Sequence, residues 1–173
     1  NLDFGSYHAL VIGNNNYQHL RKLETSVNGA RAVSAILENQ YGFKVTMIED
    51  ATRTMTLKAM NKYVKQLNKS DNLLIYYAGH GQVDEVTKTG YWQPVDAEQD
   101  DDTNWISTDT INNQLLKLKA NNIVVVADSC YAGVVFKGGL SVQSMGEDSN
   151  EAEYLNLLNK RTRIALTSGG NEP

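Results

Sequence analysis

The sequence predicts an α/β fold with a mostly parallel central sheet and helices on both faces. Two apolar runs without alternation, residues 73–77 and residues 123–126, are typical of strands that are buried on both faces of a parallel sheet. Segments with apolar residues at helical spacing precede both runs. Because parallel neighbours must be joined by a crossover, this alternation of strand and helix favours a doubly wound sheet.

The amino-terminal half of the chain supplies three strands and two helices of this prediction. The Tyr41-Gly42 pair should end the first helix, since glycine commonly follows the last helical residue. Thr54 or Thr56 is expected to cap the second helix. The predicted elements are a strand over residues 7–13, a helix from about residue 25, a strand over residues 43–48, a helix with its apolar stripe between residues 57 and 67, and a strand that ends at His80.

The second half of the chain continues the alternation of strand and helix, and then its apolar periodicity weakens. Ser107 or Asp109 is expected to cap a third helix, which leads into the strand at residues 123–126. Residues 137–150 are rich in glycine, serine and acids, which predicts a mobile, protease-sensitive loop. The other expectations are a small hairpin over residues 82–92, an acidic loop over residues 96–104, a short helix over residues 153–159 and a strand over residues 163–167.

Composition limits the class of protein. The 173 residues suit one domain with a real core, and 16 basic against 20 acidic residues give a net charge of −4, which argues against a nucleic-acid partner. The single cysteine excludes an internal disulfide, and three histidines without a second thiol exclude a usual structural zinc site. No apolar run approaches the roughly 20 residues of a membrane span. We therefore expect a cytoplasmic protein without a membrane partner.

The only cysteine, Cys130, follows a predicted central strand at the carboxyl edge, where open α/β sheets bind ligands. His80 leaves the neighbouring strand at the same edge. A lone cysteine is more often a small buried hydrophobe. An imidazolium beside it, however, lowers the thiol pKa and can protonate a leaving amine, so the pair favours nucleophilic attack on a carbonyl. The glycine after His80, Gly81, would let a backbone N–H approach the reacting oxygen.

Two blocks of sequence carry a resemblance to a known family. The sequence YYAGHG at residues 76–81 and the sequence DSCYAG at residues 128–133 resemble the signature blocks of caspase-like cysteine peptidases, on the side of the metacaspases and prokaryotic homologues. The separation of 50 residues between His80 and Cys130 is also that of caspases. Residues 9–14 resemble the family's first strand and turn, and residues 165–170 its fifth strand, so the resemblance covers nearly the whole chain.

The resemblance implies a caspase-like three-layer sandwich and a cysteine endopeptidase. Cys130 would attack the peptide carbonyl, and His80 would protonate the leaving amine. The amides of Gly81 and Cys130 would hold the oxyanion. Residues 1–173 would form a single peptidase domain that lacks the family's last helix and last strand. A cleaved carboxyl-terminal segment is therefore an expected partner, besides the protein or peptide substrate.

Asp128 has two interpretations. It is either an acid at the sheet edge that caps nearby N–H groups or the floor of a pocket for a basic side chain, since the matching aspartate of metacaspases helps to bind Arg or Lys before the scissile bond. The chain departs from the family at two other pocket positions, with Gly29 where an acid is usual and Ala78 where a serine is usual. A preference for Arg or Lys stays open and rests on Asp128.

We expect neither a cofactor nor a metal site. The acidic run at residues 100–102 invites a calcium interpretation, because calcium prefers several carboxylate oxygens. In calcium-dependent metacaspases, acids also stand before the next helix and seven residues after the cysteine. Here Asp109 remains at the first of these positions, and Lys137 occupies the second. Since the lysine would repel the ion, activity is expected without calcium.

Two other classes of function stay open from the sequence. A catalytically silent caspase fold would serve as a scaffold or regulator, although the intact Cys130 and His80 argue against it. A flavodoxin-like binder of small molecules would explain the sheet but not the two sequence blocks. Ser129 and Ser168 lack a GxSxG context, which argues against a serine hydrolase.

Overall fold

The computed structural model of the chain describes residues 4–129 and 162–168. The strands of its central sheet, numbered in chain order, are β1 (Tyr7–Gly13), β2 (Lys44–Glu49), β3 (Asn72–Ala78), β7 (Asn122–Asp128) and β8 (Thr162–Ser168). They lie in the order β2-β1-β3-β7-β8, and every neighbouring pair is parallel. The predicted parallel sheet is therefore confirmed.

Helices cover both faces of this sheet. They are α1 (Ser26–Tyr41), α2 (Arg53–Gln66) and α3 (Thr108–Lys117). On one face, Ala30 of α1 packs into a small cluster with Ala9 of β1. On the other face, Met60 of α2 and Ile111 of α3 join the main core. The result is the predicted α/β arrangement of three layers.

Alternation along β3 decides which layer each of its side chains joins, since successive residues of a strand point to opposite faces. Ile75 and Tyr77 belong to the core beneath α2 and α3. Leu74 and Tyr76 pack with the cluster beneath α1. The consecutive tyrosines Tyr76 and Tyr77 therefore lie on opposite sides of the sheet.

A second, antiparallel sheet follows the end of β3. Its strands are β4 (His80–Val83), β5 (Gly90–Gln93) and β6 (Ile106–Ser107), in the order β4-β5-β6. The pairing of β4 with β5 confirms the hairpin predicted over residues 82–92. Trp92 anchors this sheet, because its fully buried ring stacks on Tyr77 with the ring centroids 4.4 Å apart.

The strand expected to end at His80 ends earlier, at Ala78, and His80 instead opens β4. Gly79 separates the two strands at a crowded point. A Cβ atom at Gly79 would lie 2.6 Å from the hydroxyl oxygen of Tyr17 and 2.8 Å from that of Tyr77. The change of sheet therefore takes place at a residue with no side chain.

The expected caps of α2 are wrong. The cap is Thr52, which has an extended backbone and whose side-chain oxygen accepts a hydrogen bond of 3.2 Å from the Met55 N–H. Since the helix begins at Arg53, Thr54 and Thr56 lie inside its first turn, and the capping position belongs to Thr52.

One of the two caps expected for α3 is correct. Ser107 precedes the helix, and its Oγ accepts a hydrogen bond of 3.1 Å from the Thr110 N–H. Asp109 instead lies in the first turn, where its negative charge interacts favourably with the helix dipole. The acidic loop before α3 includes a short 3₁₀ helix, Asp102–Asn104.

The carboxyl-terminal expectations have different outcomes. The strand predicted over residues 163–167 is confirmed as β8. The loop predicted over residues 137–150 and the short helix predicted over residues 153–159 lie outside the described residues. Within the described ranges, no helix has both the length and the apolar character that crossing a membrane requires.

α1 sits closely on the end of β1 because Gly13 has no side chain. A Cβ atom at Gly13 would lie 2.7 Å from the Ala30 Cβ and 3.0 Å from the Ser26 carbonyl oxygen. A Cβ atom at Gly29, within α1 itself, would meet only the Tyr76 hydroxyl at 3.8 Å, an ordinary contact. The same substitution should therefore have opposite effects at the two glycines.

We predict that Gly13→Ala lowers the free energy of unfolding by about 1–3 kcal/mol, because the helix must move away from the strand. Gly29→Ala is the matched control and should raise it by roughly 0.5–1 kcal/mol, since alanine is the better helix former. Urea unfolding of both variants measures these changes. A Gly13→Ala protein as stable as the parent would contradict the close packing of α1 on β1.

Candidate active site

The turn after β3 is tied to the end of β7. The two strands run in register, with Ala78 opposite Asp128. Beyond that pair, the Gly79 N–H donates a hydrogen bond of 3.3 Å to the Asp128 carbonyl. The structure thus brings two of the predicted site residues, His80 and Asp128, to the same edge of the central sheet, as the sequence predicts.

The remaining predicted site residues have different positions. Gly81 is buried in β4, opposite Trp92 of β5. Cys130 lies outside the described residues, and Ser129, directly before it, is buried. The described part of the candidate site therefore consists of His80 and its supports, together with Asp128.

The imidazole of His80 is held through one of its nitrogens. Its Nε2 atom lies 2.7 Å from the Arg21 carbonyl oxygen. Because a carbonyl can only accept a hydrogen bond, Nε2 must carry the proton. In the neutral ring, Nδ1 is then the nitrogen that can accept a proton from another group. This tautomer leaves His80 able to act as a base at Nδ1.

The backbone of His80 is held by two buried tyrosines. Its N–H donates to the Tyr17 hydroxyl at 2.6 Å, and its carbonyl accepts from the Tyr77 hydroxyl at 2.8 Å. The Tyr77 hydroxyl also lies 2.9 Å from the Gln93 carbonyl of β5. Burial raises the pKa of Tyr17 and raises that of Tyr77 further, so both groups stay protonated.

The loop that supplies Tyr17 and the Arg21 carbonyl is itself fixed. Asp50 accepts hydrogen bonds of 2.8 Å from the backbone N–H groups of Asn15 and Asn16, and one of 2.7 Å from the Asn16 side chain. Burial raises the pKa of Asp50, but the bonds from Asn16 and Asn15 outweigh that effect and lower it. A charged carboxylate therefore organises the turn that leads to Tyr17.

Asp128 and Tyr76 lie on the opposite face from these groups, beside α1. The Tyr76 hydroxyl donates to Oδ2 of Asp128 at 3.3 Å. Burial and then the negative charge of Asp128 raise the pKa of Tyr76 to about 12, so the phenol stays a donor at neutral pH. The structure thus shows Asp128 as an exposed carboxylate with a hydroxyl partner, and both interpretations of this residue stay open.

An open cavity of about 400 Å³ adjoins His80 on the side of the second sheet. Its lining is mainly polar and includes three glutamine side chains. The lining residues are Leu20, Arg21, His80, Gln82, Gln93, Gln99 and Asp100. Such an open, polar depression suits an extended peptide chain better than a small apolar ligand.

The acidic run at residues 100–102 lies in the loop before α3. Within residues 4–129 and 162–168, no three His, Cys, Asp or Glu side chains are grouped so that they could hold a metal ion. In the acidic run, the Asp101 carboxylate caps the short 3₁₀ helix by accepting from the Thr103 N–H at 2.8 Å. This carboxylate thus has a structural partner of its own.

Sequence reasoning missed the groups that hold the site residues. Tyr17 lies in a loop without periodicity, and the contribution of Arg21 comes from its backbone, which no side-chain pattern reports. Only the consecutive tyrosines Tyr76 and Tyr77 gave a sequence signal from which such supporting groups could have been predicted. A buried tyrosine needs a partner for its hydroxyl, and two consecutive strand tyrosines must find partners on opposite faces.

Comparisons with known proteins show which family the chain resembles. The sequence model of the Caspase domain family matches residues 6–166. The chain is similar to Metacaspase-1A of Neurospora crassa, with 30% identity over 76% of this chain and 33% of that protein. It is also similar to Metacaspase-4 of Arabidopsis thaliana, with 25% identity over 84% of this chain and 39% of that protein. The chain thus spans less than half the length of these relatives.

A solved structure gives a further match. A crystal structure of a Geobacter sulfurreducens protein superposes with a TM-score of 0.61 and 26% identity, over 73% of this chain and 51% of that one. The family match over residues 6–166 includes both sequence blocks, four strands of the central sheet and most of the fifth, β8. On this basis, the chain belongs to the caspase-domain family of cysteine peptidases.

Proposed function

We propose that this chain is a cysteine endopeptidase that cleaves peptide bonds through the pair Cys130 and His80. The observation that carries the proposal is the bond between Gly79 and Asp128, which ties the residue before His80 to the end of β7. Two further residues along the chain span at most about 7 Å. This chain length supports a pairing of Cys130 with the imidazole of His80.

In the proposed reaction, His80 first accepts a proton from Cys130 and then donates it to the leaving amine. The Cys130 thiol passes its proton to Nδ1 of His80, and the thiolate attacks the peptide carbonyl carbon. The amides of Gly81 and Cys130 stabilise the resulting oxyanion. His80 then gives the proton to the leaving amine as the C–N bond breaks, which leaves a thioester. Water hydrolyses the thioester and restores the thiol.

The side chain before the scissile bond is proposed to be Arg or Lys, bound by Asp128. Support comes from the position of this carboxylate, which is exposed at the sheet edge two residues before the nucleophile. The Tyr76 hydroxyl holds one of its oxygens. A guanidinium or ammonium group forms charge-assisted hydrogen bonds with such a carboxylate.

A scaffold or regulatory role without catalysis is the alternative. The fold alone would serve either role. The tautomer of His80, with its proton held on Nε2 by the Arg21 carbonyl, favours catalysis, since a silent fold has no need of a free imidazole nitrogen at this edge. A peptide chloromethyl ketone that carries Arg separates the two, because only an active pair should be labelled at Cys130.

We predict that Cys130→Ala and His80→Ala each lower kcat/KM for a peptide substrate by at least about 10³-fold, and that the double variant loses little more. Groups that act as one unit lose nearly everything at the first removal. Fluorogenic peptide cleavage measures the rates, and circular dichroism checks the fold. The exposed His19 provides the control His19→Ala, which should keep full activity. Near-native turnover in either single variant would contradict the assignment.

For the basic side chain, Asp128→Asn should lower kcat/KM for an Arg peptide by roughly 10- to 100-fold, because a hydrogen bond to a charged group contributes about 1.5–3 kcal/mol. The matched substrate is the same peptide with citrulline, which has nearly the same shape as Arg but no charge. Its rate should change by less than about threefold. Equal losses for the two peptides would show that Asp128 does not read the charge.

Cleavage is further predicted to proceed without calcium. Calcium affinity falls as carboxylates are lost, and Lys137 puts a positive charge where calcium-dependent relatives place a ligand. The measurement is the cleavage rate of the Arg peptide in EDTA and in millimolar calcium, with magnesium at equal ionic strength as the control. Strong and saturable activation by calcium alone would overturn this prediction.

A further inference from the structure

Tyr17 has no part in the proposed reaction, yet its contacts converge on His80. Its hydroxyl accepts the His80 N–H at 2.6 Å, and its ring lies 4.5 Å from the imidazole between centroids. Four positions later in the same loop, the Arg21 carbonyl accepts a hydrogen bond from Nε2. This loop therefore holds His80 at both ends, by the backbone amide and by the ring.

The hydroxyl of Tyr17 lies in a buried and crowded part of the structure. The side chain of Tyr17 is 2% exposed, and Gly79 leaves just enough space for its oxygen beside that of Tyr77. If the hydroxyl were removed, the His80 N–H would lose this acceptor in a partly buried position. Such a group costs about 1–3 kcal/mol, so the backbone would turn to find another partner.

A turn of the backbone at His80 would carry the imidazole with it. Misplacement of a reacting group by about 1 Å can cost on the order of 100-fold in rate. We infer that Tyr17 is a positioning residue: its hydroxyl fixes the His80 backbone so that the imidazole faces the Cys130 thiol. This inference rests on the proposed Cys130–His80 pair. Tyr77 supports the same backbone from the carbonyl side.

Tyr63 offers a matched control within the chain. It is 3% exposed, and its hydroxyl also bonds to the backbone, donating to the Ala9 carbonyl at 2.9 Å. Ala9 lies four residues, or about 13 Å, before the end of β1 at the site edge. Tyr63→Phe therefore removes the same chemical group from a similarly buried residue, but far from His80.

The test uses the alkylation of Cys130 by iodoacetamide, measured against pH in the full chain. Since the chain has one cysteine, the label reports on Cys130 alone. A thiolate paired with an imidazolium reacts well below the ordinary thiol pKa of about 8.5. The variants are Tyr17→Phe, Tyr63→Phe and His80→Ala, with thermal unfolding and peptide cleavage measured on each.

We expect Tyr17→Phe to move the acid limb of the alkylation profile upward by about one pH unit, toward that of His80→Ala. Its kcat should fall by roughly 10- to 100-fold, with KM within about threefold of the parent. Tyr63→Phe should lose similar thermal stability but keep the parent profile and kcat. If Tyr17 had a merely structural role, Tyr17→Phe would lower the thermal stability without shifting the alkylation profile.

The possible outcomes distinguish a failure of the proposed function from a failure of the role inferred for Tyr17. If the parent and His80→Ala have the same profile, the thiol and imidazole are not paired, and both the proposed function and the role of Tyr17 are overturned. If those two differ but Tyr17→Phe matches the parent, only the role of Tyr17 is overturned. Should Tyr17→Phe fail to fold, Tyr77→Phe tests the same support from the carbonyl side, and an unchanged profile there overturns the inference.

Discussion

The in-register pairing of β3 with β7 is the constraint on which the candidate site depends. Both strands end at the same level, where Ala78 lies opposite Asp128. A slip of one residue would turn every side chain of one strand to the other face. Asp128 would then leave the side of α1, and the bond from Gly79 would be lost. The buried apolar faces of both strands fix this register, since each belongs to a packed core.

Three tyrosines form hydrogen bonds to different groups at this edge, and the layer in which each one lies decides its partner. Tyr76 faces α1 and bonds to Asp128, on the side proposed for the substrate's basic group. Tyr77 faces the other core and bonds to the His80 carbonyl. Tyr17 reaches the same residue from the loop after β1. Strand alternation thus separates the carboxylate proposed to bind substrate from the support of the histidine.

Low dielectric strengthens the support of His80. Both hydroxyls that hold its backbone are buried, and hydrogen bonds in such surroundings are electrostatically stronger than in water. Gly79 makes the arrangement possible, because any side chain there would occupy the space of the two hydroxyl oxygens. The glycine before the histidine in the first sequence block therefore has a packing reason that does not depend on catalysis.

From the sequence alone, the fold class, the strands of the central sheet and the position of His80 and Asp128 at one sheet edge could be predicted, because apolar runs and their spacing report burial and order along the chain. The start of α2 and the end of β3 could not, since the cap at Thr52 and the turn at Gly79 depend on contacts with distant residues. Nor could the roles of Tyr17 and the Arg21 carbonyl be predicted, as they belong to a loop whose path is fixed by hydrogen bonds to Asp50. Periodicity identifies elements and their order, whereas hydrogen bonds between residues far apart in the chain were decided by the tertiary structure.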